Sequence, residues 1–289
     1  MTSRNLLVEL FVEELPPKSL KKLGESFAEV LGASIKAQGL AESSAAVVAY
    51  ASPRRLGVHV AGVAAQAADK SVSQKLMPVA VGLDANGQAT PALLKKLAGL
   101  GADASVVARL RRVPDGKAET LFFDSVLKGA TLAEGLQKAL DESIAKLPIA
   151  KVMGYQLEDG WSSVNFVRPA HGLVALHGEE IVPISVLGLT AGRETQGHRF
   201  EAASATLKIR DADSYEAQLE SEGAVIPSFE RRRAEISRQL AEVAARVGGG
   251  VKPIEDDALL DEVTALVERR FAWRTGWCPG RSRIQSVPR

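Results

Sequence analysis

The sequence predicts an α+β fold, with mixed strands and helices through about residue 200 and a helical segment from there to residue 268. Three observations carry that expectation. Near the N-terminus Val8, Leu10 and Val12 alternate with Leu7, Glu9, Phe11 and Glu13 at the two-residue period of a strand. From Lys18 to Gln38, Leu23, Phe27, Val30, Leu31 and Ile35 recur at the spacing of an amphipathic helix. Beyond them, strand-like and helix-like stretches follow one another without the regular alternation of a doubly wound sheet.

Taken in order, Pro16 and Pro17 stop the first strand, and Gly39 ends the helix that follows. Ala45–Tyr50 and Leu56–Val63 read as two strands joined by the rigid, doubly basic Ser52-Pro53-Arg54-Arg55. Residues 64–78 read as a loop. Asp84–Gly87 has turn chemistry, and Thr90 before Pro91 starts a short helix reaching Leu100. Strands are predicted for Val107–Val113 and Thr120–Val126 around Pro114, Asp115 and Gly116. Thr131 with Glu134 forms a capping-box pattern that opens a helix to about Lys146. The apolar runs Val164–Arg168, Leu173–Leu176 and Ile181–Leu187 return to strand character.

After Phe200 the pattern turns helical. Asp213 with Glu216 is a second capping-box pattern, and Ser228 caps a helix with Ile236, Leu240, Val243 and Val247 on one stripe. Gly248, Gly249 and Gly250 end it, and a last helix over about Glu255–Glu268 places Leu259, Val263 and Leu266 on one side. Residues 269–289 form a third region of different character.

A chain of 289 residues that is 46% hydrophobic has enough apolar sequence for a core and for roughly two domains. The N-terminus lacks the apolar run of a signal peptide, and no stretch reaches membrane-span length, so no membrane association and a cytoplasmic location are expected. One cysteine, Cys278, excludes an intrachain disulfide framework. The net charge of +1 hides an asymmetry. Arg269–Arg289 contains six arginines and no acid, leaving 30 basic against 35 acidic residues in Met1–Glu268. A mildly acidic body excludes indiscriminate phosphate binding, so any nucleic-acid contact must be local.

The patterns of familiar chemistry are missing. The sequence has no P-loop, no Gly-x-Gly-x-x-Gly, no Gly-x-Ser-x-Gly and no His pair at zinc-binding helical spacing among His59, His171, His177 and His198. No catalytic residue and no metal ligand is assigned. Glu13 and Glu14 are adjacent, so on a strand they point to opposite faces, and they are expected to end an edge strand in solvent.

The candidate RNA or partner contacts are basic. Arg54 and Arg55 suit phosphate or an acidic surface, although a solvated turn explains them equally well. Arg168, before Pro169, either fixes a loop or contacts RNA. His198 and Arg199 follow Gly197, where a tight backbone lets both project together, toward a ligand or to organise the loop. Arg231, Arg232 and Arg233 read as a solvated helix face.

Several strings, in this order and at these separations, carry a resemblance: Leu6-Leu7-Val8-Glu9-Leu10 running into Glu13-Glu14-Leu15-Pro16-Pro17-Lys18; Ser52-Pro53-Arg54-Arg55-Leu56; Phe166-Val167-Arg168-Pro169-Ala170-His171; then Pro183, Leu187-Gly188-Leu189 and Gly197-His198-Arg199-Phe200. Together they resemble the N-terminal part of the beta subunit of bacterial tetrameric glycyl-tRNA synthetase. The resemblance implies a noncatalytic subunit that engages tRNA(Gly) and helps assemble an α2β2 enzyme. The alpha subunit would carry the class II site and use ATP with Mg to activate glycine, while this chain would bind no cofactor. The family's later His-Asp-type and anticodon-binding regions have no counterpart in this sequence. The pattern departs near Arg269, which suggests a frameshifted tail over 269–289. The alternatives are a standalone RNA-binding or adaptor protein with an authentic arginine-rich tail, and an inactive truncated product.

Overall fold

The structure is a computed structural model that describes residues 3–269, apart from 85, 116, 117, 158, 248, 249, 251 and 254. The tail expected to be anomalous therefore lies outside the described residues, except Arg269. The chain begins β1 (Ser3–Val12), α1 (Pro17–Ala37), β2 (Val47–Ser52) and β3 (Arg55–Ala64). It continues as β4 (Lys70–Pro78), α2 (Val79–Gly82), α3 (Pro91–Ala98), a 3-10 turn (Ala104–Arg109), β5 (Arg111–Asp115) and β6 (Ala118–Leu127). Then come α4 (Leu132–Lys146), β7 (Met153–Gln156), β8 (Ser163–Phe166), β9 (Ala170–His177) and β10 (Glu180–Ile181). The short strands β11 (Ser185–Val186), β12 (Leu189–Thr190), β13 (Glu194–Gln196) and β14 (Thr206–Lys208) precede α5 (Tyr215–Ser221), α6 (Phe229–Val247) and α7 (Asp257–Leu266).

The fold is α+β and divides into two compact units. One is formed by the segments before residue 66 and after residue 131, the other by Gln66–Thr131. The division expected near residue 200 does not coincide with this one. β13 pairs with β14 across that point, and Leu207, Ile209, Tyr215, Leu219 and Val225 share a core cluster with Leu7, Tyr50, Val174 and Leu176. A change from strand-rich to helix-rich sequence therefore marks no boundary here, because the later residues cover a sheet built by the earlier ones.

The larger unit holds a five-stranded antiparallel sheet in the order β10-β9-β1-β3-β2. β1 is thus central, not the expected edge strand, since its neighbours come from distant parts of the chain. Leu6 through Val12 are all buried, including both faces of the alternation. Leu10 pairs with Leu56, which pairs with Ala51, and Gly24 of α1 packs against Ala51. That face is covered by the apolar side of α1, with Leu20, Leu23, Phe27, Leu31 and Ile35 buried. Glu9 pairs with Gly57 and through it with Tyr50, so Glu9 lies on the opposite face, under Tyr215 of α5.

Helix starts follow the sequence in part. Pro17 opens α1, Thr90 caps α3 through the Leu93 N–H, and Ser228 accepts from the Arg231 N–H at 3.3 Å to open α6. Asp213 is no cap. The Asp211 carboxylate takes the Asp213 and Ser214 N–H groups, and Asp213 itself accepts from Asn5 and meets His59. Two apolar stripes also differ from expectation. On α6 only Ile236 of the predicted stripe is buried, while Leu240 and Val247 are exposed. On α7 the buried residues are Thr264 and Ala265, with Leu259 and Leu266 exposed.

The smaller unit is a three-stranded antiparallel sheet, β4-β6-β5, with α2 and α3 closing a core of Leu76, Leu93, Leu97 and Leu121. β4 falls where a loop was expected. Its sequence is polar along most of its length, and it is a strand because β6 pairs with it from Lys70 to Pro78. The strand expected from Val107 starts only at Arg111, after the 3-10 turn. Among the described residues, no helix is long and apolar enough to cross a membrane.

Candidate RNA-facing cleft

The chain leaves β1 at Val12 and is then gripped by two loops. Val12 N–H donates to Arg54 O (2.8 Å), Leu15 N–H to Pro53 O (2.7 Å) and Glu13 N–H to Pro169 O (2.9 Å). The Pro53-Arg54 turn and the Arg168-Pro169 corner are thereby fixed beside residues 13–15. Arg168 Nε reinforces this by donating to Glu14 O at 2.9 Å.

The third participant is the turn after β13. His198 N–H donates to Gly223 O at 2.8 Å. A Cβ on Gly197 would lie 2.5 Å from Ala202 Cβ and 3.0 Å from Gly223 O, so only glycine fits this approach. Arg199 is delivered to both acids at the end of β1, 3.2 Å from Glu13 and 3.8 Å from Glu14. The two carboxylates reach one cation because they lie beyond the strand, where alternation no longer separates them. Glu13 also accepts from His171.

Four of the five basic candidates, Arg54, Arg168, His198 and Arg199, line one cleft of about 690 Å³, joined by Phe200, by Leu266 at the end of α7 and by Val267, Glu268 and Arg269 after it. Arg54 is half-buried, with its guanidinium 4.6 Å from the Phe11 ring centroid. Its Nε is buried and has no hydrogen-bond partner. Burial, and then the charge of Arg199, push its pKa down. Phe200 is 91% exposed, and the His198 ring meets it edge-on.

Arg55 is the fifth candidate, and the structure gives it internal partners instead of an outward contact. It is fully buried. Its guanidinium donates to Ser52 Oγ and Glu268 Oε1 (both 3.1 Å) and to Gln196 O (2.5 Å), and its Nε lies 3.4 Å from Glu9 Oε2 at ion-pair geometry. The other acceptor positions of Glu9 take the hydroxyls of Thr195 and Tyr215. Burial first, then the Glu9 charge, raise the Tyr215 pKa well above that of an ordinary phenol.

Arg232 also departs from its expected solvated face. It is buried and donates to the carbonyl oxygens of Ala51, Ile226 and Thr264. Consecutive helical residues point in different directions, so Arg231 and Arg233 reach acids on α5 and α7 while Arg232 points inward. Sequence reasoning missed Glu9, Thr195, Tyr215 and Glu268 as a group. The available signal was Glu9 itself, a charge flanked on its own face of the strand by Leu7 and Phe11.

Comparison with known proteins identifies the family of the chain. The profile described as "Glycyl-tRNA synthetase beta subunit" matches residues 6–275. The chain is 74% identical over 269 residues to the glycine-tRNA ligase beta subunit of Leptothrix cholodnii, covering 93% of this chain and 37% of that protein. The corresponding proteins of Paracidovorax citrulli and Dechloromonas aromatica are 70% and 68% identical, each with 93% of this chain and 39% of theirs covered. This chain belongs to the glycyl-tRNA synthetase beta subunit family. It spans less than two fifths of the length of these curated relatives. The family match also runs to residue 275, six residues past the point where the sequence pattern was expected to depart.

Proposed function

We propose that this chain is a tRNA-engaging and assembly part of glycine-tRNA ligase, in which a separate alpha subunit joins glycine to tRNA(Gly) with ATP and Mg. In this reading it makes no bond itself, works in the cytoplasm and binds the alpha subunit within an α2β2 enzyme. The observation that carries the reading is the family match over nearly the whole chain. The gathering of Arg54, Arg168, His198 and Arg199 around one cleft supports the RNA-facing half of it.

Aminoacylation assays with and without an added glycyl-tRNA synthetase alpha subunit, paired with copurification of the two, test it. The expected result is no charging by the chain alone and recovery of the alpha subunit with it. Charging by the isolated chain would overturn the division of labour, and failure to retain the alpha subunit would overturn the assembly role.

A further inference from the structure

The cleft holds more positive groups than its own acids neutralise. Arg199 is held by Glu13 and Glu14, Arg269 by Glu201, and Glu268 is taken by the buried Arg55. Among the described residues, Arg54 and Arg168 have no carboxylate partner. Arg54 stacks on Phe11 with its buried Nε donating to nothing. Arg168 uses Nε on the backbone of Glu14 and one terminal nitrogen on the Met153 sulfur, leaving its other terminal nitrogen without a protein acceptor. Guanidinium groups in this condition match phosphate oxygens.

Beside them Phe200 exposes 91% of its surface directly after His198 and Arg199. An aromatic ring left in solvent and lining the same cleft as unpaired guanidiniums presents a stacking face together with an anion site, which is how unpaired bases are held. The cleft of about 690 Å³ falls in the range typical of small-ligand pockets. A duplex would ask for a broad basic surface, whereas Met1–Glu268 carries 30 basic against 35 acidic residues. A bare anion would have no use for the ring.

We propose that this cleft binds one unpaired nucleotide of an RNA strand, with its phosphate on Arg54 and Arg168 and its base against Phe200. The inference rests on the RNA-engaging reading above and narrows it to a substrate class and three side chains.

The test uses the 289-residue chain with a labelled single-stranded RNA octamer, a duplex of the same sequence and inorganic phosphate as competitor. Variants F200A, F200W, R54Q and R168Q are compared after thermal melts establish that each is folded. Phe200 and Arg168 are not core residues, so they keep the test open if R54Q loses its packing on Phe11. The single strand is expected to bind more tightly than the duplex. F200A is expected to weaken it by roughly five- to a hundredfold, with F200W restoring it. R168Q and R54Q should each reduce the slope of log affinity against log salt by about 0.7. No detectable binding of the single strand, an F200A variant that binds like the parent, equal affinity for the duplex, or full displacement by phosphate without dependence on Phe200 would each overturn the proposal. These outcomes are separable from the charging assay. A chain that fails to join the alpha subunit but binds RNA through Phe200 sinks the assembly reading alone.

Discussion

Arg55 Nε lies 3.4 Å from Glu9 Oε2 across the central strands, and neither side chain has any exposed surface. The same guanidinium ties the β2–β3 turn, the end of β13 and the segment after α7 through Ser52, Gln196 and Glu268. Arg55→Ala would strand a buried carboxylate, for which losses of about 3–5 kcal/mol are typical. Urea unfolding measures this. A loss below about 1 kcal/mol would show that Glu9 finds other compensation.

Tyr215→Phe removes a hydroxyl that donates to Glu9 in a fully buried setting. An acceptor left without its donor there costs about 1–3 kcal/mol. Thermal unfolding of the variant should show the loss with no change in native secondary structure by circular dichroism.

The two phenols of the core also make a pH prediction. Burial first, with nearby carboxylates adding, raises the pKa of both Tyr50 and Tyr215. In the unfolded chain both ionise near pH 10, while in the native state they keep their protons to higher pH. Between those limits the folded chain binds more protons, so stability is fully present below about pH 10 and falls as pH rises beyond it. Tyrosinate absorbance from these two residues should appear together with loss of structure. Its appearance in a still-folded chain would contradict their burial.

Gly24→Val tests how α1 seats on the sheet. A Cβ at Gly24 would come within 2.5 Å of Ala51 Cβ, so α1 must shift or β2 must give way. Overpacking of this kind costs about 1–3 kcal/mol. Gly87→Ala serves as a comparison, because nothing lies within 4 Å of the added Cβ and only its positive φ of 76° is strained. A Val variant as stable as the parent would show that the α1–sheet contact is looser than described.

Legibility in the sequence followed the kind of signal each element carried. β1 and α1 were readable because Leu7–Val12 and Leu23–Ile35 repeat at the periods of their own backbones. β4 was not, since its polar residues alternate with little contrast and only pairing with β6 makes it a strand. The site divided in the same way. Arg54, Arg168, His198 and Arg199 were marked out by their motifs and line one cleft, but nothing local distinguished half-buried Arg54 from its fully buried neighbour Arg55.

By itself the sequence determined the α+β class and the family, and it marked out a set of basic candidates of which Arg54, Arg168, His198 and Arg199 line one cleft. Those follow from local periodicity and from short motifs whose order is written in the chain. Only the tertiary structure decided that β1 is central, that residues 66–131 form a separate unit, and that Arg55 and Arg232 point inward while Phe200 points out. Each of these depends on what a side chain meets from more than a hundred residues away, or on the absence of any such partner. Spacing along one strand or helix carries no record of that.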